Sequence, residues 1–248
     1  MQGALTKGKI LIANGTTTGY VAEEILNIEL EKWRFPSGLV TLGRQCATPD
    51  DKIRSLLIDK GQMLKQDVDF TDYEESQKFI KDFGSNDVYI KGANAIDAAG
   101  NAGFLLAHPT GGSLGLVFST LVAQGSHFII PVGLEKMIKS VTEASRSAPG
   151  IHKFKYSFGR GCGYMAVSQG TVITEIEALK LLTGVVATHL ASGGVGGSEG
   201  AVTLSLYGDD NQIDLTYDLL KSIKGEKALK GWKKKCSQCD FKCTYQEV

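Results

Sequence analysis

Residues 9–26, KILIANGTTTGYVAEEIL, constrain the fold more than any other stretch. Ile10, Leu11, Ile12 and Ala13 form a short apolar run of the kind that is buried on both sides. Asn14, Gly15, Thr16, Thr17 and Thr18 make a small polar turn. Residues 19–26 then read as a helix, with Val21, Ile25 and Leu26 on one side and Glu23 and Glu24 on another. Strand, Gly/Thr turn and helix together have the form of an anion site. A helix start presents unpaired N–H groups and a partial positive charge, threonine hydroxyls add donors, and small residues let a phosphate or carboxylate come close. The same spacing also suits an ordinary βα connection with threonine as the N-cap. The turn is neither a Walker A loop nor a dinucleotide fingerprint, because Gly-Lys-Ser/Thr and GxGxxG are both missing.

The same alternation continues downstream. Further strands are expected at residues 39–42, 86–90 and 127–132, with an extended piece at 104–108. Helices are expected from Thr48-Pro49 to about Lys60-Gly61, at 73–83, at 114–123 and at 134–145. Buried strands alternating with helices imply an α/β fold, a Rossmann-like, mainly parallel sheet with helices on both faces. Ligands of such sheets sit beyond the carboxyl ends of the strands. That would gather the Asn14–Thr18 turn, the polar loop from Lys91 to Asp97 and the turn Gly111-Gly112-Ser113 around one crevice.

A Gly- and Pro-marked stretch at 147–160 suggests a boundary, giving a core at 1–150 and a second unit at 160–248. There the expected order is strand 162–167, helix 171–182, strands 185–191 and 201–207, helix 210–223 and a last strand 241–245. This βαββαβ order is that of a smaller, ferredoxin-like α+β domain. Residues 193–197, GGVGG, are either a lid over the crevice or a long hairpin connection.

The motifs resemble a known superfamily. Asn14-Gly15-Thr16-Thr17-Thr18 before a helix is similar to the phosphate turn of ribose-5-phosphate isomerase and of the sugar-phosphate-sensing domains of DeoR-type repressors. DVYIKGANAID at 87–97 resembles the second motif of that group, and Gly111-Gly112-Ser113 stands where a third, glycine-rich motif falls. The group also includes glucosamine-6-phosphate deaminases and CoA transferases. The resemblance covers roughly residues 9–135 and implies a phosphate held by Gly15, Thr16, Thr17 and Thr18. The isomerase's proton-transferring aspartates match Lys91 and Asn94 here. Neither side chain replaces a carboxylate base at neutral pH without a further partner. Asp97 lies one turn on, and His108 lies beside the third turn. The glutamate nucleophile of the CoA transferases has its nearest look-alike in Glu199, outside the matched region.

The expectation is therefore a binder of a small anionic, phosphorylated metabolite. Asn14, Gly15, Thr16, Thr17, Thr18, Gly92, Gly111, Gly112 and Ser113 would hold the ligand, and Lys91, Asn94, Asp97 and His108 would stand near any chemistry. Three readings stay open: an isomerase- or deaminase-like enzyme of altered chemistry, a catalytically silent binding or regulatory protein, and a CoA-transferase-like acyl enzyme. No cofactor is expected, and a homo-oligomer is an open option. With 27 basic and 27 acidic residues in 248, no global charge favours nucleic acid. Residues 1–9 lack a signal-peptide core, and no apolar run reaches membrane-spanning length, so a cytoplasmic protein without membrane contact is expected. Cys236, Cys239 and Cys243 supply three zinc-type ligands where four are needed, so Cys46, Cys162 or another chain would have to add one. They are read as thiols of a surface tail, with no metal. Arg160, between glycines, is either an anion partner or part of a linker.

Overall fold

The computed structural model describes residues 2–64, 72–241 and 243. A short helix, α1 (Gln2–Lys7), leads into strand β1 (Lys9–Ile12), helix α2 (Thr16–Leu26) and a hairpin of β2 (Gly38–Thr41) and β3 (Arg44–Ala47). Then follow β4 (Leu56–Asp59), β5 (Gln62–Met63), α3 (Tyr73–Ile80), β6 (Val88–Ile90), β7 (Ala95–Ile96), β8 (Ala102–Leu106), α4 (Gly112–Gln124) and β9 (His127–Pro131). The second half carries α5 (Val141–Ser147), β10 (Gly163–Val167), β11 (Thr171–Ile173), α6 (Glu175–Thr183), β12 (Val186–Ser192), β13 (Val202–Tyr207) and α7 (Asp210–Ile223).

The central sheet has six strands in the order β11-β9-β6-β1-β4-β5. The four from β11 to β1 run parallel; β4 and β5 are antiparallel additions at one edge. Successive strand residues face opposite sides, and both sides are dry. Ile10, Ile12, Ile58, Val88 and Ile90 pack with Ala4 of α1, Ala22 of α2 and Phe35. Leu11, Leu57, Tyr89, Phe128 and Ile130 pack on the other side with Ile80 of α3 and Leu114, Val117 and Leu121 of α4. The result is a mixed α/β fold with a mainly parallel central sheet and helices on both faces. Each of the buried Val, Leu, Ile and Phe side chains contributes about 1.5–3 kcal/mol.

Three expected elements take another form. Residues 48–60 do not make a helix: Leu56, Leu57 and Ile58 are all buried in β4, where the apolar run pairs antiparallel with β1. Lys60 (φ 49°) and Gly61 (φ 80°) form the tight turn to β5 instead of a helix end. The expected helix at 171–182 begins as a strand, since Thr171–Ile173 joins the central sheet beside β9, and α6 starts after Thr174. At 134–145 a single 3₁₀ turn (Leu134–Lys136) precedes the shorter α5.

The second half does not assemble a four-stranded ferredoxin-like sheet among the described residues. β10 pairs with β8 of the β7–β8 hairpin, β11 enters the central sheet, and β12–β13 form a hairpin of their own. That hairpin packs with α6 and α7 around Leu179, Val185, Leu204, Leu206, Ile213 and Leu219. The expected strand at 241–245 falls largely outside the described residues. Among the described residues no helix is long and apolar enough to cross a membrane.

Candidate functional site

The parallel ladder runs past the named strands. Ala13 N–H donates to Ile90 O (2.9 Å), Lys91 N–H to Ile129 O (3.1 Å) and Val132 N–H to Ile173 O (3.0 Å). Ala13, Lys91, Val132 and Thr174 therefore end four adjacent strands in a row, at the carboxyl edge of the sheet. The chain leaves this edge through α2 after β1, through Gly92 after β6, through the Leu134–Lys136 turn after β9 and through α6 after β11.

Two of the helix starts differ in a way that matters for ligands. α6 is closed by its own side chains: Thr174 Oγ1 accepts from Ile176 N–H (3.2 Å), and Glu177 Oε2 accepts from Thr174 N–H (2.8 Å). α2 has Gly15 as its N-cap and no side-chain cap. The first intrahelical bond there is from Gly19 N–H to Gly15 O (3.2 Å), so the Thr16, Thr17 and Thr18 amides precede the helical ladder. A Cβ at Gly15 would lie 2.9 Å from Thr18 Oγ1, so a glycine lets the turn close this tightly.

The expected ligand-binding residues divide. Thr18 is fully buried, and its hydroxyl donates to Ala13 O (2.7 Å), fastening the turn to the strand it leaves. Asn14 is also structural. Its Nδ2 donates to Phe35 O (2.6 Å) and Ile53 O (2.7 Å), and its Oδ1 accepts from Ser55 Oγ (2.9 Å). Thr16 is exposed and Thr17 partly so. Gly92 brings β6 against this first turn: a Cβ there would lie 3.3 Å from Pro131 O and 3.8 Å from Thr17 Cβ. The third turn is tied in through Tyr89, whose hydroxyl lies 3.4 Å from Ser113 Oγ in the first turn of α4. Gly111 and Gly112, both at positive φ, start that helix, also without a side-chain cap.

Lys91 lies in the middle of the row. Its side chain is partly buried, and burial brings its ammonium down to about 8. Among the described residues no carboxylate acts on it. A desolvated cation without a counter-charge is costly in a folded protein, and a bound anion relieves that cost.

The other candidate catalytic residues have structural duties. Asp97 is buried, and its carboxylate organises a turn. Oδ1 accepts from the Ala99 and Asn101 amides (3.1 and 3.0 Å), and Oδ2 accepts from Val141 N–H (2.9 Å) at the start of α5. Burial alone would raise its pKa. The bonds from Val141, the Asn101 side chain and the Asn101 and Ala99 amides outweigh burial and hold the carboxyl below its ordinary value. Asn94 Oδ1 accepts from Leu105 N–H (3.0 Å), bracing β8. His108 Nδ1 lies 2.8 Å from Thr110 Oγ1, in the loop before α4. Glu199 is exposed in the β12–β13 loop, where it accepts from Gly197 N–H (3.3 Å).

Two carboxylates near this edge are not among the expected site residues. Glu135 folds back over Gly133, just past β9, and pairs with Lys136 Nζ (2.8 Å). Gly200 packs against it, with a Cβ position 3.8 Å from Glu135 Cγ, so the β12–β13 loop reaches the end of β9. Glu175 Oε2 accepts from Leu134 N–H (2.9 Å) and holds the turn after β9. No sequence signal marks either, because both depend on which strands become neighbours.

Comparison with protein-family models, curated proteins and solved structures found no match to this chain.

Proposed function

We propose that the carboxyl edge of the central sheet binds a small phosphorylated metabolite, between the first turn of α2 and Lys91. The observation that carries this reading is Lys91 itself, a partly buried cation with no acidic partner among the described residues. The uncapped amides at Thr16 and Thr17 and the two threonine hydroxyls supply neutral donors beside it. The glycine at 92 keeps the approach to Thr17 open. The reading favours binding over sugar-phosphate isomerisation. In the resemblance drawn from the sequence, Lys91 and Asn94 match the positions of the isomerase's carboxylates, while the Asp97 carboxylate is engaged in its own turn.

Calorimetric titration with inorganic phosphate and with a pentose phosphate tests the proposal. Saturable binding is expected, weakened about tenfold or more in Lys91→Met, equivalent to about 1.4 kcal/mol. Affinity should also fall as pH rises through about 8, where Lys91 loses its charge. Absence of saturable binding, or equal affinity in Lys91→Met, would overturn it.

A further inference from the structure

We propose that Cys46, Cys236, Cys239 and Cys243 form a structural zinc site that ties the C-terminal tail to the β2–β3 hairpin. The four residues come from two segments far apart in sequence, yet all four line one cavity of about 30 Å³. Three follow the spacing C-x2-C-x3-C in the tail. The fourth, Cys46, sits in β3 opposite Leu39. Four sulfurs gathered on one small cavity suit a single soft divalent ion. Four thiolates around one ion is the closed, tetrahedral arrangement of structural zinc, and ligand pairs spaced by two to four residues are its usual form.

The backbone brings these segments together without the ion. Lys234 N–H donates to Ala47 O (2.8 Å), next to Cys46. On the other side of Cys46, Gln45 N–H donates to Phe158 O (3.1 Å) and Arg160 N–H to Gln45 O (2.8 Å). Trp232 meets Trp33 edge-on at 5.1 Å, and Lys234 pairs with Asp50 at 2.9 Å. Among the described residues, no three potential ligands already stand at coordinating geometry. Zinc would draw the thiols in, as expected where metal binding and ordering of a chain are coupled.

The electrostatics suit a thiolate-rich centre. Four thiolates on a divalent ion leave two negative charges, and Arg44, Arg160 and Lys234 line the cavity. Lys233 Nζ lies 3.9 Å from Cys236 Sγ. A divalent cation bound among the four sulfurs favours their thiolate forms. Cys162 stands apart, its Sγ donating to Gln45 Oε1 at 3.7 Å.

The test uses the full chain, stripped with chelator under reducing conditions and titrated with Co²⁺ and then Zn²⁺. One equivalent of cobalt should give the visible d–d bands of a tetrahedral site and sulfur-to-cobalt charge transfer, both bleached by zinc. Cys236→Ser and Cys239→Ser should lose the bands, and Cys162→Ser should keep them. Cys46→Ser should lose one thiolate's share of the charge-transfer intensity, with folding checked by circular dichroism. Zinc should also slow alkylation of four of the five cysteines. No tetrahedral cobalt spectrum, an iron–sulfur chromophore in the purified protein, or an unchanged spectrum in Cys46→Ser would overturn the proposal.

Discussion

Lys91 and Asp97 stand six residues apart, on either side of β7, and have opposite electrostatic situations. Asp97 accepts hydrogen bonds from the Ala99, Asn101 and Val141 amides and from the Asn101 side chain, and its pKa is lowered. A carboxyl lowered in the folded state contributes stability that is complete above its unfolded pKa, about 3.9, and is lost as pH falls through the folded value. Asp97→Asn should therefore destabilise the protein by about 1–3 kcal/mol at neutral pH. Its urea midpoint should also depend less on pH below about 4 than that of the wild type. Urea unfolding at a series of pH values checks both, and parallel profiles would show that the charge of Asp97 has no such role. Lys91 has the reverse sign. Its lowered pKa means that the unfolded chain holds the proton more tightly, so this residue makes stability rise with pH between about 8 and its unfolded value near 10.4.

At the level of elements, α6 begins at the carboxyl edge with a complete capping box. Thr174→Ala removes the acceptor for Ile176 N–H and the hydroxyl partner of Glu177. A loss of about 1 kcal/mol is expected in thermal or chemical unfolding, with phosphate affinity at Lys91 unchanged. A loss of binding in this variant would mean that α6 belongs to the anion site. The sequence was informative where local signals and tertiary context agree. α7 runs over Asp210–Ile223 as its apolar spacing and Asp209 cap require, and β1 and β9 stand where their apolar runs begin. It misled at residues 48–60, because Ile53, Leu56 and Leu57 fit one face of a helix as well as they fit a short buried strand. Pairing with β1, which no local pattern encodes, selected the strand. The hairpin turns at Leu42-Gly43 and Lys60-Gly61 were hidden for a related reason: a leucine and a lysine adopt the positive φ usually given to asparagine or glycine. Within the candidate site, the residue types at Thr16, Thr17, Lys91 and Gly92 were legible. The structural use of Asn14, Thr18 and Asp97 was not, since their partners at 35, 53, 55 and 141 are distant in sequence or lie across a turn.

At the level of the whole molecule, the chain closes on itself twice. β10 and β11 return to β8 and β9, and the tail returns to the β2–β3 hairpin at Ala47 and to Trp33 just before it. Arg34 stacks over Trp232 at 5.5 Å and Lys230 over Trp33 at the same distance, so each indole holds a cation as well as the other ring. Trp232→Ala should cost about 1–2 kcal/mol from the lost aromatic pair and its cation contacts. Amide exchange should rise in β2 and β3 but not in β1, β6 or β9; protection unchanged in the hairpin would show that the tail does not secure it. The Trp33–Trp232 contact also sets an order of events during synthesis. Residues near Trp33 leave the ribosome before the strands β6, β9 and β11 of the central sheet, and their partner emerges only after them. The surface around Trp33 thus stays open until residues near 232 are made, and nascent-chain protease sensitivity there should persist until they are released.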